Sequence, residues 1–123
     1  MSDKPILQPG PDHPITIEPT PHRVTVTRGG QTIANSEHAL TLREAAYPAA
    51  QYIPFADVDA SLLQATEHTT YCPYKGDANY FSLVIDGDTS ENTVWQYTSP
   101  HEAVAPIAGH VAFYSDRVQI SEG

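Results

Sequence analysis

One cysteine, one tryptophan and six lysines and arginines are all that a chain of 123 residues carries of those types, against fifteen aspartates and glutamates. Each scarcity excludes something. A single cysteine, Cys72, cannot close an internal disulfide, so a reducing cytoplasm is the expected setting. It also cannot build a four-cysteine structural zinc site. A formal charge of −9 with no basic run argues against nucleic acid and against anionic membrane surfaces, both of which need clustered cations. No apolar run approaches the length of a membrane span, and the start, Met1 to Leu7, has no signal-peptide apolar region. The histidines, His13, His22, His38, His68, His101 and His110, show neither His-x-His nor i,i+4 pairing, so a metal site would have to assemble from distant segments. No metal and no cofactor are expected. There is no glycine-rich phosphate loop and no pair of carboxylates at metal spacing.

What is present reads as short strands. Eleven prolines and seven glycines break the chain often. Residues 1–22 read as an extended N-terminal arm in which Pro14 to Glu18 adds a strand at a sheet edge; residues 23–123 read as a single domain. His22 to Thr27 alternates, Gly29-Gly30 is a turn, and Gln31 to Asn35 returns as the second arm of a hairpin. Ala39 to Arg43 alternates around Leu40 and Leu42. Asp57 to Ala65, with Val58, Leu62 and Leu63 at helical spacing, predicts one or two helical turns. Asp86 to Asn92 reads as a solvated loop. Thr93 to Tyr97 is a strand with Thr93, Trp95 and Tyr97 on one face, Ala103 to Ala108 a short helix, Val111 to Tyr114 a strand, and Val118 to Ile120 a last one. Turn signals about every ten residues indicate an all-β domain of small sheets.

The densest chemistry lies in Thr69 to Leu83, which holds Cys72, Tyr71, Tyr74, Tyr80, Phe81 and Lys75. Gly76-Asp77 is expected to be a two-residue hairpin turn, which pairs Cys72 with Phe81 and Lys75 with Ala78. One face then carries Cys72, Tyr74, Phe81 and Leu83 and suits a core. The other carries Tyr71, Lys75, Ala78 and Tyr80 and suits a cleft wall. Pro73 cannot donate to a ladder, which bends or shifts this register.

The chain resembles an uncharacterised bacterial and fungal family, domain of unknown function 427. The resemblance is carried by Pro11 to Thr16, Val24 to Ala34, Ala39 to Glu44, Tyr52-Ile-Pro54 with Asp57-Val58, Cys72-Pro-Tyr-Lys-Gly76 followed by Tyr80, Val94 to Tyr97, and Ala112 to Tyr114. It implies a β-tent: two small antiparallel sheets leaning together at a steep angle over a cleft, with one or two short helices. Other β-tent families clamp their sheets with a four-cysteine zinc site, which this chain lacks. A nucleotidyltransferase label is sometimes attached to the family, and no motif here supports it. Close relatives usually carry an arginine after the Tyr-Ile-Pro element, where this chain has Phe55.

The candidate residues each have two readings. Cys72 is either a nucleophile, which requires a nearby cation or base, or a small buried hydrophobe packed on Phe81. Lys75 is an anion-binding or Schiff-base amine, or a solvated turn lysine. Trp95, Tyr97 and Tyr52 are core or the aromatic floor of a cleft. Asp57 orients a partner or caps a helix. Glu44 and Arg43 pair across the fold or are solvated strand ends. His13 folds back over the cleft as a proton carrier or pins the arm. The leading expectation is a module binding an unknown small molecule, anionic or planar, among Tyr52, Tyr71, Lys75, Tyr80, Trp95 and Tyr97. The alternatives are an enzyme using Lys75 or Cys72 with Asp57 or His13, and a scaffold pairing through an exposed edge strand, in either case a monomer or weak homodimer.

Overall fold

The computed structural model describes residues 4–123. Residues 1–3, the beginning of the arm expected over 1–22, lie outside the described residues. Among the described residues ten strands follow one another: β1 Ile15–Pro19, β2 Val24–Arg28, β3 Gln31–Ser36, β4 Leu40–Glu44, β5 Ala50–Pro54, β6 Leu63–Cys72, β7 Gly76–Ile85, β8 Asp88–Tyr97, β9 His110–Phe113 and β10 Gln119–Glu122. Short 3₁₀ turns at Phe55–Asp57 and Ala60–Leu62 and a 3₁₀ segment at Glu102–Ile107 complete the chain. The protein is all-β, in two antiparallel sheets. One has seven strands in the order β1-β4-β5-β9-β8-β7-β6, the other three in the order β10-β2-β3. Among the described residues no helix is long and apolar enough to cross a membrane.

Alternation along the strands gives the larger sheet two apolar faces. One face packs Ile53, Leu83, Val94, Val111 and Phe113 against Val24, Val26 and Ile33 of the smaller sheet. The other carries Leu42, Tyr52, Tyr80, Tyr97 and Ala112, and is covered by Val104 and Ile107 of the last 3₁₀ segment. Gly29-Gly30, with φ of 57° and 82°, makes the β2–β3 turn, a conformation that residues with a Cβ adopt at a cost. The segment Pro14 to Glu18 expected at a sheet edge is there as β1, paired with β4 so that Ile15 lies opposite Glu44.

Four expectations are corrected. The helix over 57–65 is two separate 3₁₀ turns followed directly by β6, because the apolar positions serve two elements; Asp59, not Asp57, caps the second turn by accepting from the Ser61 N–H. Asp86 to Asn92 is not a loop. Asp86-Gly87 alone turns the chain, with φ of 50° and 80°, and β8 begins at Asp88. The turn before β7 is Pro73-Tyr74-Lys75, closed by the Lys75 N–H on the Cys72 carbonyl at 3.2 Å, so Cys72 pairs with Gly76 and Thr70 with Ala78. Pro73 is suited to a turn and unsuited to a ladder. Gly76 opens the strand instead, at a φ of 112°, where an added Cβ would meet the Ser99 carbonyl at 3.4 Å. The slip exchanges the partners across the hairpin: Cys72 shares a face with Ala78 and Tyr80, while Tyr71 lies opposite Asp77. Cys72 accordingly packs in the cluster of Tyr52, Tyr80 and Tyr97, and Phe81 packs with the other core.

The junction between β5 and β9 positions everything described below. These strands pair only at Ile53↔Val111 and Pro54↔His110. Toward Ala50 on one side and Phe113 on the other they part, and the sheet opens there.

Ile53 is fully buried beside this junction. Ile53→Ala is expected to lower unfolding free energy by about 2–5 kcal/mol, seen as a lower urea midpoint at unchanged m-value.

Candidate functional site

The alternation of β4 puts Leu40, Leu42 and Glu44 on one face. It therefore carries a carboxylate to a position where the preceding residues of that face are apolar. Two basic side chains meet it there. Lys75, from the turn between β6 and β7, donates its ammonium to Oε1 of Glu44 in a short bond. His13, two residues before Ile15 and its Glu44 partner in the ladder, reaches Oε2 through Nε2 at 2.7 Å. The Glu44 and Lys75 side chains are each only 12% exposed. Burial alone would push the Glu44 carboxyl up. The bonds from Lys75 and His13 and their charges together outweigh it, and the carboxyl sits below its ordinary value.

The N-terminal segment holds this arrangement from outside. The His13 ring stacks on Tyr74 at 3.9 Å with 5° between planes, and Tyr47 approaches its edge. Gly10 and His13 bond each other's main chains, the Leu7 N–H donates to the Pro73 carbonyl at 3.0 Å, and the Tyr71 hydroxyl donates to the Pro5 carbonyl at 2.5 Å. The turn that carries Lys75 is thus strapped by residues 5–13.

Aromatic rings continue the wall. Trp95 lies opposite Tyr80 in the β7–β8 ladder, and Tyr97 opposite Ala78. The Trp95 Nε1–H donates to the Tyr52 hydroxyl at 3.2 Å, tying β8 to β5 where no ladder joins them. Tyr114 lies against Trp95 with ring centroids 4.6 Å apart. Tyr97 is 6.0 Å from the Lys75 ammonium. Burial, set against the Trp95 bond and reinforced by the Glu44 charge, pushes the Tyr52 phenol up to about 12. Burial also raises Tyr97, and with Tyr80 beside it raises Tyr114 to about 12. The Tyr52, Tyr97 and Tyr114 phenols are therefore neutral at ordinary pH, and the charged side chains of the lining are Glu44, Lys75 and Glu122.

Between the parted ends of β5 and β9 is a cavity of about 610 Å³. Its lining includes Glu44, Tyr52, Lys75, Tyr80, Trp95 and Tyr97, and from the smaller sheet Ile120 and Glu122. Five of the six residues expected to bind a ligand, Tyr52, Lys75, Tyr80, Trp95 and Tyr97, come together there. Tyr71 does not. The corrected register turns it toward His101, whose Nε2 lies 3.2 Å from its hydroxyl. Cys72 is half-buried behind the tyrosines and is not in the lining. His13 touches the site through Glu44. Asp57 is elsewhere, accepting from the Ser36 hydroxyl at 2.6 Å next to the smaller sheet.

The sequence offers Arg43 as the partner of Glu44, or a solvated strand end, and the partners are instead Lys75 and His13; Tyr114 is not among the expected site residues. An acidic residue in register with Leu40 and Leu42 was the available signal for Glu44. Among the described residues no group of three or more His, Cys, Asp or Glu side chains converges as metal ligands.

A family model for a domain of unknown function (DUF427) matches residues 16–122. No curated protein matches the chain.

Because the folded Glu44 carboxyl is lowered, its contribution to stability is fully present above the ordinary carboxylate value, about 4.3, and is lost as pH falls through the lower folded value. Glu44→Gln is expected to cost roughly 1.5–3 kcal/mol at neutral pH by denaturant titration. The gap between the two proteins should close on acidification, and a gap that stays constant would contradict the assignment.

Proposed function

The chain belongs to the family of domain of unknown function (DUF427), and on that premise we propose that it binds a small planar molecule in the cavity between β5 and β9. The observation that carries this reading is the lining itself: Tyr52, Tyr80, Trp95, Tyr97 and Tyr114 around a space of about 610 Å³. That volume is within the range of about 300–1,000 Å³ in which proteins enclose small ligands. Flat rings are matched by flat rings, at roughly 0.5–1.5 kcal/mol per aromatic contact beyond area burial.

The charge state favours a neutral ligand over an anion. Lys75 already donates to Glu44, so the pair presents a donor and an acceptor with no net charge between them. The same bond favours binding over covalent catalysis, since an ammonium held by a carboxylate has no lone pair with which to attack a carbonyl. The single cysteine is in keeping with a reducing, cytoplasmic setting for this activity.

Trp95 is the only tryptophan, so its emission reports on this cavity without background. Titration with benzamide, nicotinamide and methyl benzoate is expected to change that emission saturably for at least one of the three and to raise Tm with it. Tyr114→Ala, which removes a half-exposed ring from the rim, should weaken the same probe about three- to tenfold. Failure of all three to give a saturable change or a Tm shift would count against the reading.

A further inference from the structure

In an antiparallel ladder each residue turns both its N–H and its C=O toward the same neighbouring strand, and successive residues alternate between neighbours. Two bonds fix the phase on either side of the parted strands. The Phe55 N–H donates to the Gly109 carbonyl at 3.0 Å, across from β5 to β9. Counting back by twos, Ile53 and then Gln51 also turn their main chains toward β9. The Tyr114 N–H donates to the Thr93 carbonyl at 3.0 Å, toward β8. Ala112 does likewise, opposite Trp95. Val111 and Phe113 therefore turn theirs toward β5.

Gln51 and Phe113 thus direct main-chain N–H and C=O groups at each other where the next ladder pair would form. The pairing stops at Ile53↔Val111 and does not include them. Both residues line the cavity. Their side chains serve other ends. The Gln51 amide accepts from Thr20 at 2.6 Å and donates to Thr41 at 3.0 Å, and the Phe113 ring is in the core between the sheets. What they offer a ligand is backbone. They are 9% and 4% exposed, so little bulk water competes for those groups. A buried peptide group left without a partner is costly, and a ligand that supplies the partner recovers that cost.

The geometry points to an amide edge as the ligand's head group: an N–H and a C=O side by side on a planar ring, bonded to the main chains of Gln51 and Phe113 as a strand would be. This rests on the cavity reading above and adds which part of the ligand is recognised and by what. The ring lies among Trp95, Tyr97 and Tyr52, and the amide replaces the missing rung between β5 and β9. Selection of this kind is strong, because an analogue lacking the N–H leaves a buried acceptor unpaired.

The test compares three probes of nearly the same ring: benzamide, N,N-dimethylbenzamide and methyl benzoate. Affinity is read from Trp95 emission, and the backbone from amide proton shifts and exchange in the ¹⁵N-labelled full chain. Benzamide is expected to bind at least tenfold more tightly than the other two. On its addition the Gln51 or Phe113 amide proton should move downfield and gain exchange protection. Equal affinity for all three would overturn the inference and leave the cavity reading standing. Preference for benzamide with neither amide perturbed would also overturn it, since the head group would then be read elsewhere. No binding by any of the three, nor by nicotinamide, would remove the cavity reading and this inference together.

Discussion

The parting of β5 from β9 after two residue pairs is the constraint on which the rest of the site depends. Continued pairing would set Gln51 against Phe113 and close the space between them. The tyrosines of β5, β7 and β8 would then be the interior of an ordinary sheet face. Because the strands diverge, the sheet is held across the gap by a side-chain bond, from Trp95 to the Tyr52 hydroxyl, in place of main-chain rungs. A bond of this sort contributes about 1 kcal/mol, no more than a rung, but it spans a wider distance and leaves volume beneath it. Tyr52 is only 1% exposed, and the desolvation that comes with that burial keeps its phenol neutral. The opening therefore accounts for both the shape of the cavity and the neutrality of this phenol.

Against that neutral wall a lone carboxylate would be poorly tolerated. Glu44 persists because two basic side chains from distant parts of the chain, Lys75 and His13, bond its two oxygens. A buried pair of this kind is at best a small net gain in stability, because desolvation consumes most of the attraction. Its value is in position. Lys75 rides on a three-residue turn with no strand neighbour of its own, and without Glu44 its long side chain would have many rotamers. His13 does for Glu44 what Glu44 does for Lys75. The stack on Tyr74 and the main-chain contacts of Leu7 and Pro5 then lock the turn from the far side. The N-terminal segment is thereby part of the site although it contributes no residue to the lining.

Much of this architecture was legible because it depends on local chemistry. The Gly29-Gly30 turn, the alternation of β4 and the aromatic face of β8 each follow from a few neighbouring residues. The failures share a different cause. Lys-Gly-Asp after Pro-Tyr offers two turn placements that local preference does not separate; the choice is made by the Ser99 carbonyl and His101 closing on Gly76, contacts about twenty-five residues away. That one slip carried Tyr71 into the expected site. Asp57 to Ala65 read as helical because Val58, Leu62 and Leu63 fit a 3.6-residue period. In the fold Val58 bridges to Ala34 while Leu63 opens β6, so the period arose from two unrelated burials. The split in the sheet left no mark at all, since strands that separate have the same composition as strands that stay paired.

The position after Tyr-Ile-Pro shows how such a geometry changes the meaning of a substitution. Resemblance to the family leads one to expect a cation there, and Phe55 in its place raised the question of whether the site had lost a charge. Phe55 lies beyond the paired end of β5, its ring 6.1 Å from Phe81, and it is not in the cavity lining. At about 3.3 Å per residue it is roughly 13 Å along the chain from Gln51, on the closed side of the junction where Ile53 meets Val111. A cation at that point would face the outer surface near Phe81 and would not share the cavity with Glu44. The ammonium that faces the aromatic wall is supplied by Lys75, whatever stands at position 55. Phenylalanine at this position therefore leaves the charged groups of the cavity lining, Glu44, Lys75 and Glu122, as they are.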